Sequence, residues 1–152
     1  MKDRAGLSRL DSQLCFALYR ASRAVVRAYA PLLEPLGLTY PQYLTLLVLW
    51  EEESVSMKEL GQRLTLDSAT LTPLLKRLEQ QKLVARERSA EDERLVLVTL
   101  TKRGRAMQAK ARGIPSAMAC KLEGTAEALA LVRIGRLRDE LNALVAKLDL
   151  AS

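Results

Sequence analysis

Histidine is missing altogether from the 152 residues of this chain, which removes the commonest metal ligand and the commonest general base together. Cysteine is nearly missing: there are two, Cys15 and Cys120, far apart and without the C-x2-C type of metal-ligand spacing. In a reducing cytoplasm a permanent disulfide between them is disfavoured, so each is either a small buried apolar residue or a redox-active thiol. These absences speak against a hydrolase or a metalloenzyme, and neither a metal nor a cofactor is expected. Long hydrophobic runs are lacking too. Although 49% of the residues are apolar, no run approaches the roughly 20 residues that cross a bilayer. The opening segment, Met1-Lys2-Asp3-Arg4 and then Ser8, Arg9, Asp11 and Ser12, is too polar for a signal-peptide core. A soluble cytoplasmic protein of one domain, with no membrane partner, is the expectation. Repeats, low-complexity tracts and flexible linkers are absent as well.

What is present is a set of periodicities. Leu7, Leu10, Leu14, Leu18, Ala21, Val25, Ala28 and Leu32 recur at three- and four-residue steps, one face of a long helix. Pro31 is expected to kink it or loosen its last turns, and Gly37 to close it. Thr39-Tyr40-Pro41-Gln42 reads as a capping box with proline in the first turn. The helix it opens, Tyr43 to about Glu52, is apolar nearly all round and is assigned to the core. Ser56-Met57-Lys58-Glu59 is a second capping box, starting a short helix with Met57, Leu60 and Leu64 inward. Thr65-Leu66 makes a turn. Asp67 then caps a third helix to about Gln81, with Leu71, Leu74, Leu75 and Leu78 on its buried side. Two short helices joined by a turn, the second polar outside, form the helix-turn-helix pattern.

The period then switches from 3.6 to 2. Leu83 to Arg88 and Arg94 to Thr99 read as two strands around a polar loop, Ser89 to Glu93, a β-hairpin suited to be a wing. Thr101 caps another helix from Lys102, broken near Gly113-Ile114-Pro115. In the last helix, about Thr125 to Leu148, Ala130, Ile134, Leu137, Leu141, Leu144 and Leu148 form a heptad-like seam. Such a seam serves core packing within the chain or contact with a second copy; apolar-faced helices at both ends favour a homodimer. The expected fold is mainly α with a small β-hairpin wing: a winged helix-turn-helix whose dimer is formed by the N- and C-terminal helices. Within a single domain, 1–152, the winged helix-turn-helix lobe is placed at 38–104 and the dimerisation helices at 7–36 and 105–150.

The net charge is +6, and the stretch from Ser54 to Arg105 holds 11 basic and 7 acidic residues, +4 of that total. The third helix offers Ser68, Thr70 and Thr72 near its N-terminus and Lys76 and Arg77 a turn later. Hydroxyls and N-terminal N–H groups suit phosphates and base edges, and the cations suit phosphates and guanine. Pro73, inside this helix, removes a hydrogen bond to the carbonyl of Ala69, so a local distortion is expected. Arg86, Arg88 and Arg94 cluster on the hairpin, where Asp92 can hold the Arg94 guanidinium.

The stretch from Leu38 to Gly104 resembles the MarR family of bacterial regulators. The residues that carry the likeness are Ser56 to Leu60, Leu71 to Glu79, Asp92-Glu93-Arg94 and Leu100 to Gly104. The resemblance implies a transcription regulator, no enzyme, whose recognition helix, with Ser68, Thr70, Thr72, Pro73, Lys76 and Arg77, lies in the major groove. It also implies that Arg94, steadied by Asp92, enters the minor groove, where a narrow groove concentrates negative potential. The plainer alternative is that Asp92 and Arg94 only close the loop. Duplex DNA carrying an inverted repeat with half-sites about 10 base pairs apart is the implied partner, bound in a salt-dependent way.

A finer likeness lies in Leu14-Cys15-Phe16-Ala17-Leu18-Tyr19, in Tyr29, and in Gly37-Leu38-Thr39-Tyr40-Pro41-Gln42-Tyr43. This set resembles the organic hydroperoxide sensors of the MarR family. The resemblance implies that Cys15 reacts with the peroxide, and that Tyr29 and Tyr40 reach its sulfur from the partner subunit, with Tyr19 nearby. A thiolate would become a sulfenic acid, and phenolic donors would stabilise the anion. Cys120 is placed like the second cysteine of the two-cysteine subgroup, implying a disulfide with Cys15 of the other subunit. The readings left open are a buried structural Cys15 with tyrosines packed as core aromatics, and an incidental Cys120. Open too are a regulator answering a non-covalent phenolic or aromatic ligand, a Cys15 peroxidase, and a winged helix serving protein contacts alone.

Overall fold

The computed structural model describes residues 9–149; Leu7, the first member of the expected N-terminal stripe, lies outside them. Two compact units divide the chain, the first ending at Ala111 and the second beginning at Arg112. Among the described residues no helix is long and apolar enough to cross a membrane.

The first unit opens with a 3-10 turn at Leu10–Ser12. Gln13 is then extended, and helix α1 runs Leu14–Leu33. The expected long helix is therefore shorter at its start, and Leu10 lies outside it. Pro31 sits in its last turn, where it cannot donate to the i−4 carbonyl; the chain passes into a 3-10 turn at Glu34–Leu36 and ends at Gly37 in the left-handed region (φ 67°). Helix α2, Tyr40–Glu52, begins three residues before the expected Tyr43, because Pro41 is already in its first turn. The Thr39 N–H donates to Gln42 Oε1 at 2.8 Å, tying down the entry. Gln42, Tyr43, Thr45, Leu46, Val48 and Leu49 are all buried, so α2 is the central core helix.

Strand β1, Ser54–Ser56, follows; then come α3, Met57–Leu64, capped by Ser56 Oγ, and α4, Ser68–Gln80, capped by Asp67. Strands β2, Val84–Arg88, and β3, Val96–Leu100, make the hairpin, pairing Val84 with Leu100 and Arg88 with Val96. β1 adds to the other edge of β3, pairing Val55 with Val98, so the sheet is antiparallel in the order β1-β3-β2. Leu46, Leu49, Leu60, Leu75, Leu78 and Val98 are wholly buried between helices and sheet, each stabilising the fold by roughly 1.5–3 kcal/mol.

Helix α5, Lys102–Ala111, starts at a tight junction. Thr101 Oγ1 accepts the Gly104 N–H at 3.0 Å and donates to the Lys82 carbonyl at 2.7 Å. A Cβ at Gly104 would lie 2.1 Å from the Leu83 carbonyl oxygen, so only glycine fits. The Trp50 indole donates to the Gly104 carbonyl at 3.0 Å, joining α2 to this corner.

The second unit holds α6, Ile114–Glu123, and α7, Ala128–Asp149, with Arg133 paired to Glu123 at 3.1 Å. Of the expected seam on α7, Ala130 is buried, whereas Leu137, Leu141 and Leu148 are exposed, at 57%, 37% and 60%.

Candidate DNA interface and thiol site

The polar face of α4 exists because its apolar residues are spent on the other side. Leu71, Leu74, Leu75 and Leu78 turn inward, which leaves Ser68, Thr70, Thr72, Pro73, Lys76 and Arg77 exposed together on the outside. Asp67 Oδ1 accepts the Thr70 N–H at 2.7 Å, and this bond holds the Asp67 carboxyl below the usual carboxylate range. The N-terminal turn is thus kept in place, hydroxyls outward. Pro73 is accommodated within an unbroken helix. Ser68, Thr70, Thr72, Lys76 and Arg77, read from the sequence as the exposed residues of this helix, are exposed, and Pro73 lies among them.

The wing loop is tied by its own polar side chains. Ser89 Oγ accepts the N–H groups of Glu91 and Asp92, at 3.2 and 3.4 Å. Asp92 Oδ1 accepts the Arg94 backbone N–H at 3.0 Å and its Nε at 3.4 Å. The Arg94 side chain is nonetheless 92% exposed, so Asp92 steadies its base while the guanidinium stands in solvent.

Arg86 differs from the reading that grouped it with Arg94. Its Nη2 donates to Glu79 Oε2 at 2.6 Å, with both side chains little more than a quarter exposed. Its Nε is buried without a partner. Arg86 points from β2 back onto the last turn of α4, where Glu79 partners its charge. Glu79, which the sequence reading passed over, is held below its ordinary carboxylate range by that bond.

Cys15 and Cys120 are both exposed thiols, so within this chain neither is a buried apolar packing residue. Tyr29 and Tyr40 stack at 4.5 Å between ring centroids, with Tyr43 at 5.9 Å from Tyr29 and Trp50 edge-on to Tyr43 at 6.2 Å. Burial, reinforced by the Tyr40 and Tyr43 phenols, pushes Tyr29 up to about 12; burial also raises Tyr40 and Tyr43. These groups therefore stay protonated as hydrogen-bond donors throughout the neutral range. Tyr19 does not join them. It is exposed, and its hydroxyl accepts from Arg23 Nη1 at 2.8 Å. Cys15 and Tyr29 lie fourteen residues apart on the same straight element, about 21 Å along the axis. One chain thus unites Tyr29 with Tyr40 and keeps Cys15 and Tyr19 away from both.

The profile of the family described as transcriptional regulator SarA/Rot matches residues 27–110. An organic hydroperoxide resistance transcriptional regulator of Bacillus subtilis strain 168 is 52% identical over 115 residues, 76% of this chain and 78% of that protein. The HTH-type transcriptional regulator TtmR of Methylorubrum extorquens strain PA1 is 51% identical over 143 residues, 93% of this chain and 73% of that one. Among solved structures, reduced AbfR bound to DNA superposes with a TM-score of 0.73 at 37% identity, covering 94% of this chain and 99% of its own. AbfR of Staphylococcus epidermidis is also solved in a disulfide-formed state, with a TM-score of 0.64 at 37% identity over 95% of each chain.

Proposed function

Because the chain belongs to the SarA/Rot family of MarR-type transcriptional regulators, we propose that it is a homodimeric, DNA-binding repressor that releases its operator when an organic hydroperoxide oxidises Cys15. The winged fold and the regulator class follow from the family; the effector, the dimer and the residues are this reading's own. In it, Ser68, Thr70, Thr72, Lys76 and Arg77 contact one major groove, and Arg94 reaches the adjacent minor groove. Residues 38–104 supply that lobe, and 7–36 with 105–150 supply the dimer.

The observation that carries the sensing step is the separation just described. An exposed thiol stands at one end of α1 and a pair of protonated phenols at the other. Two copies packed with these helices antiparallel would set each Cys15 beside the partner's phenol pair. The thiolate would then attack the peroxide with hydrogen-bond donors around it. The name of the Bacillus subtilis relative and the disulfide-formed AbfR structure lend support to this chemistry. Cys120, also exposed, would resolve the sulfenic acid as an intersubunit disulfide. The deciding experiment is operator binding by wild type and Cys15→Ser, with and without cumene hydroperoxide. Wild type should dissociate and Cys15→Ser should stay bound. Release of both by peroxide rejects Cys15 as the sensor.

A second reading has one observation in its favour. A groove of about 600 Å³ at the α1–α2 corner is lined by Val26, Leu33, Leu38 and Pro41, with the Tyr40 phenol, Thr39 and the Glu34 carboxylate among them. A phenolic ligand held there would release DNA without covalent chemistry, and Cys15→Ser would respond like wild type; the Glu34 carboxylate disfavours the aromatic carboxylate of the same reading.

A further inference from the structure

We infer that the outer face of α1 is a carboxylate-reading groove that favours hydroperoxides carrying an anionic end; this rests on the peroxide-sensing reading. Arg20, Arg23 and Arg27 recur at three- and four-residue steps, which makes one stripe along the helix. All three are exposed, α1 contains no acidic residue, and none of the ion pairs among the described residues engages them. Two of the heads are held along the helix by aromatic rings. Arg20 lies 5.6 Å from the Phe16 ring centroid and Arg23 lies 5.5 Å from that of Tyr19. A groove of about 630 Å³ runs between these five side chains over a floor of alanines.

The position of the stripe matters as much as its charge. At 3.6 residues per turn the arginines lie about half a turn from Leu18, Val25 and Leu32, the half-buried apolar side of α1. A dimer built on the apolar side leaves the arginines in solvent. Cys15, Tyr19 and Arg23 follow one another at four-residue steps, so the thiol stands at the end of a ridge that bounds the groove. From Cys15, Arg23 is about 12 Å and Arg27 about 18 Å along the axis. A hydroperoxide whose carboxylate sits that far from its peroxide group can reach both, its apolar chain resting on Phe16, Tyr19 and the alanines. Guanidinium forks pair with carboxylates bidentately.

The reaction itself is unchanged by the anchor. The Cys15 thiolate pair attacks the terminal peroxide oxygen; the S–O bond forms and the O–O bond breaks. Sulfur gives two electrons to the peroxide, and the leaving alkoxide takes a proton from water to depart as the alcohol.

The test compares loss of the Cys15 thiol with three oxidants: a long-chain carboxylic acid hydroperoxide, its methyl ester, and cumene hydroperoxide. Wild type and an Arg20→Gln, Arg23→Gln, Arg27→Gln variant are run side by side. Wild type should react about tenfold faster with the acid than with the ester, a charge-assisted contact's worth. In the variant that ratio should fall towards one while the cumene hydroperoxide rate stays the same. An acid-to-ester ratio equal in both proteins overturns the inference and leaves the sensing reading standing. No reaction of wild-type Cys15 with cumene hydroperoxide overturns both.

Discussion

Arg86 on β2 and Glu79 on α4 form a 2.6 Å ion pair that joins the two elements assigned to DNA contact in the proposed function. The pair is half-sheltered, so it falls between exposed pairs of 0–1 kcal/mol and buried ones whose breakage costs several. Glu79→Gln should lower stability by about 1 kcal/mol and weaken operator binding, with little change in the salt slope, since no phosphate contact is lost. The acid limb follows the same bond. Arg86 holds the folded Glu79 pKa below its unfolded value. Its stabilisation is therefore complete above the ordinary carboxylate range and is lost as pH falls through the folded pKa. Thermal melts of wild type and Glu79→Gln should converge at low pH. A steepened or flattened salt slope in the variant would mark Glu79 or Arg86 as a DNA-side charge instead.

The Arg86–Glu79 pair was not legible in the sequence for a physical reason. Patterns along the chain report which face a residue occupies, and β2 does face the wing; they do not report a partner on the preceding helix. The same limit hid β1, since Ser54–Ser56 is too short for alternation to be visible and exists because β3 offers it an edge. What was legible was whatever repeats locally: the caps at Ser56, Asp67 and Thr101, and the leucine face of α4 with its polar opposite. The phenol pair was half legible, because Tyr29 and Tyr40 flank a turn, whereas the distance separating them from Cys15 appears only once α1 is known to be continuous from Leu14.

Arg94 provides a contrast with Arg86. Its guanidinium is 92% exposed and tied to Asp92 only at its base. Arg94→Gln should leave the melting temperature within about a degree, as expected for an exposed pair, while weakening operator binding about tenfold and reducing the salt slope by about one. Unchanged affinity would return the Asp92–Arg94 contact to the role of a loop closure.

Gly104 and Gly113 should answer the same substitution in opposite ways. At Gly104 an added Cβ meets the Leu83 oxygen at 2.1 Å and Leu100 Cδ2 at 2.9 Å, whereas at Gly113 it meets nothing within 4 Å. Gly104→Ala should cost about 3 kcal/mol by overpacking, and Gly113→Ala, at a φ of −81°, should be neutral or stabilising by up to about 1 kcal/mol. Trp50 is the one tryptophan of the chain and donates to the Gly104 carbonyl, so its fluorescence in urea titrations reads this corner directly. Equal midpoints for the two variants would contradict the packing described.

Alkaline titration should find the phenol pair. The unfolded chain loses the Tyr29 proton near 10, and the folded one holds it to about 12, because burial and the neighbouring phenols disfavour the anion. The folded pKa is raised, so the stabilisation is fully present below pH 10 and is lost as pH rises to 12. Tyrosinate absorbance should appear together with cooperative unfolding in that window, and Tyr29→Phe should move the transition to higher pH. A gradual rise with no loss of helical signal would mean that Tyr29 is reached by water in the fold.

The exposed seam on α7 makes the strongest demand on assembly. Leu137, Leu141 and Leu148 lie at heptad-like steps on a helix whose single fully buried residue is Ala130. A carboxylate placed in such a seam loses its hydration without gaining a partner, a penalty that dissociates two copies while leaving each chain folded. Leu137→Asp should therefore shift the protein from dimer to monomer by sedimentation velocity, with the far-ultraviolet circular dichroism of wild type. Operator binding should then fall by 10²-fold or more, about what is lost when two linked half-sites become one. In the proposed dimer the phenol pair reaches Cys15 from a second chain, so the same variant should also slow Cys15 oxidation. A Leu137→Asp protein that is monomeric yet oxidises at the wild-type rate would show that Cys15 needs no partner tyrosines.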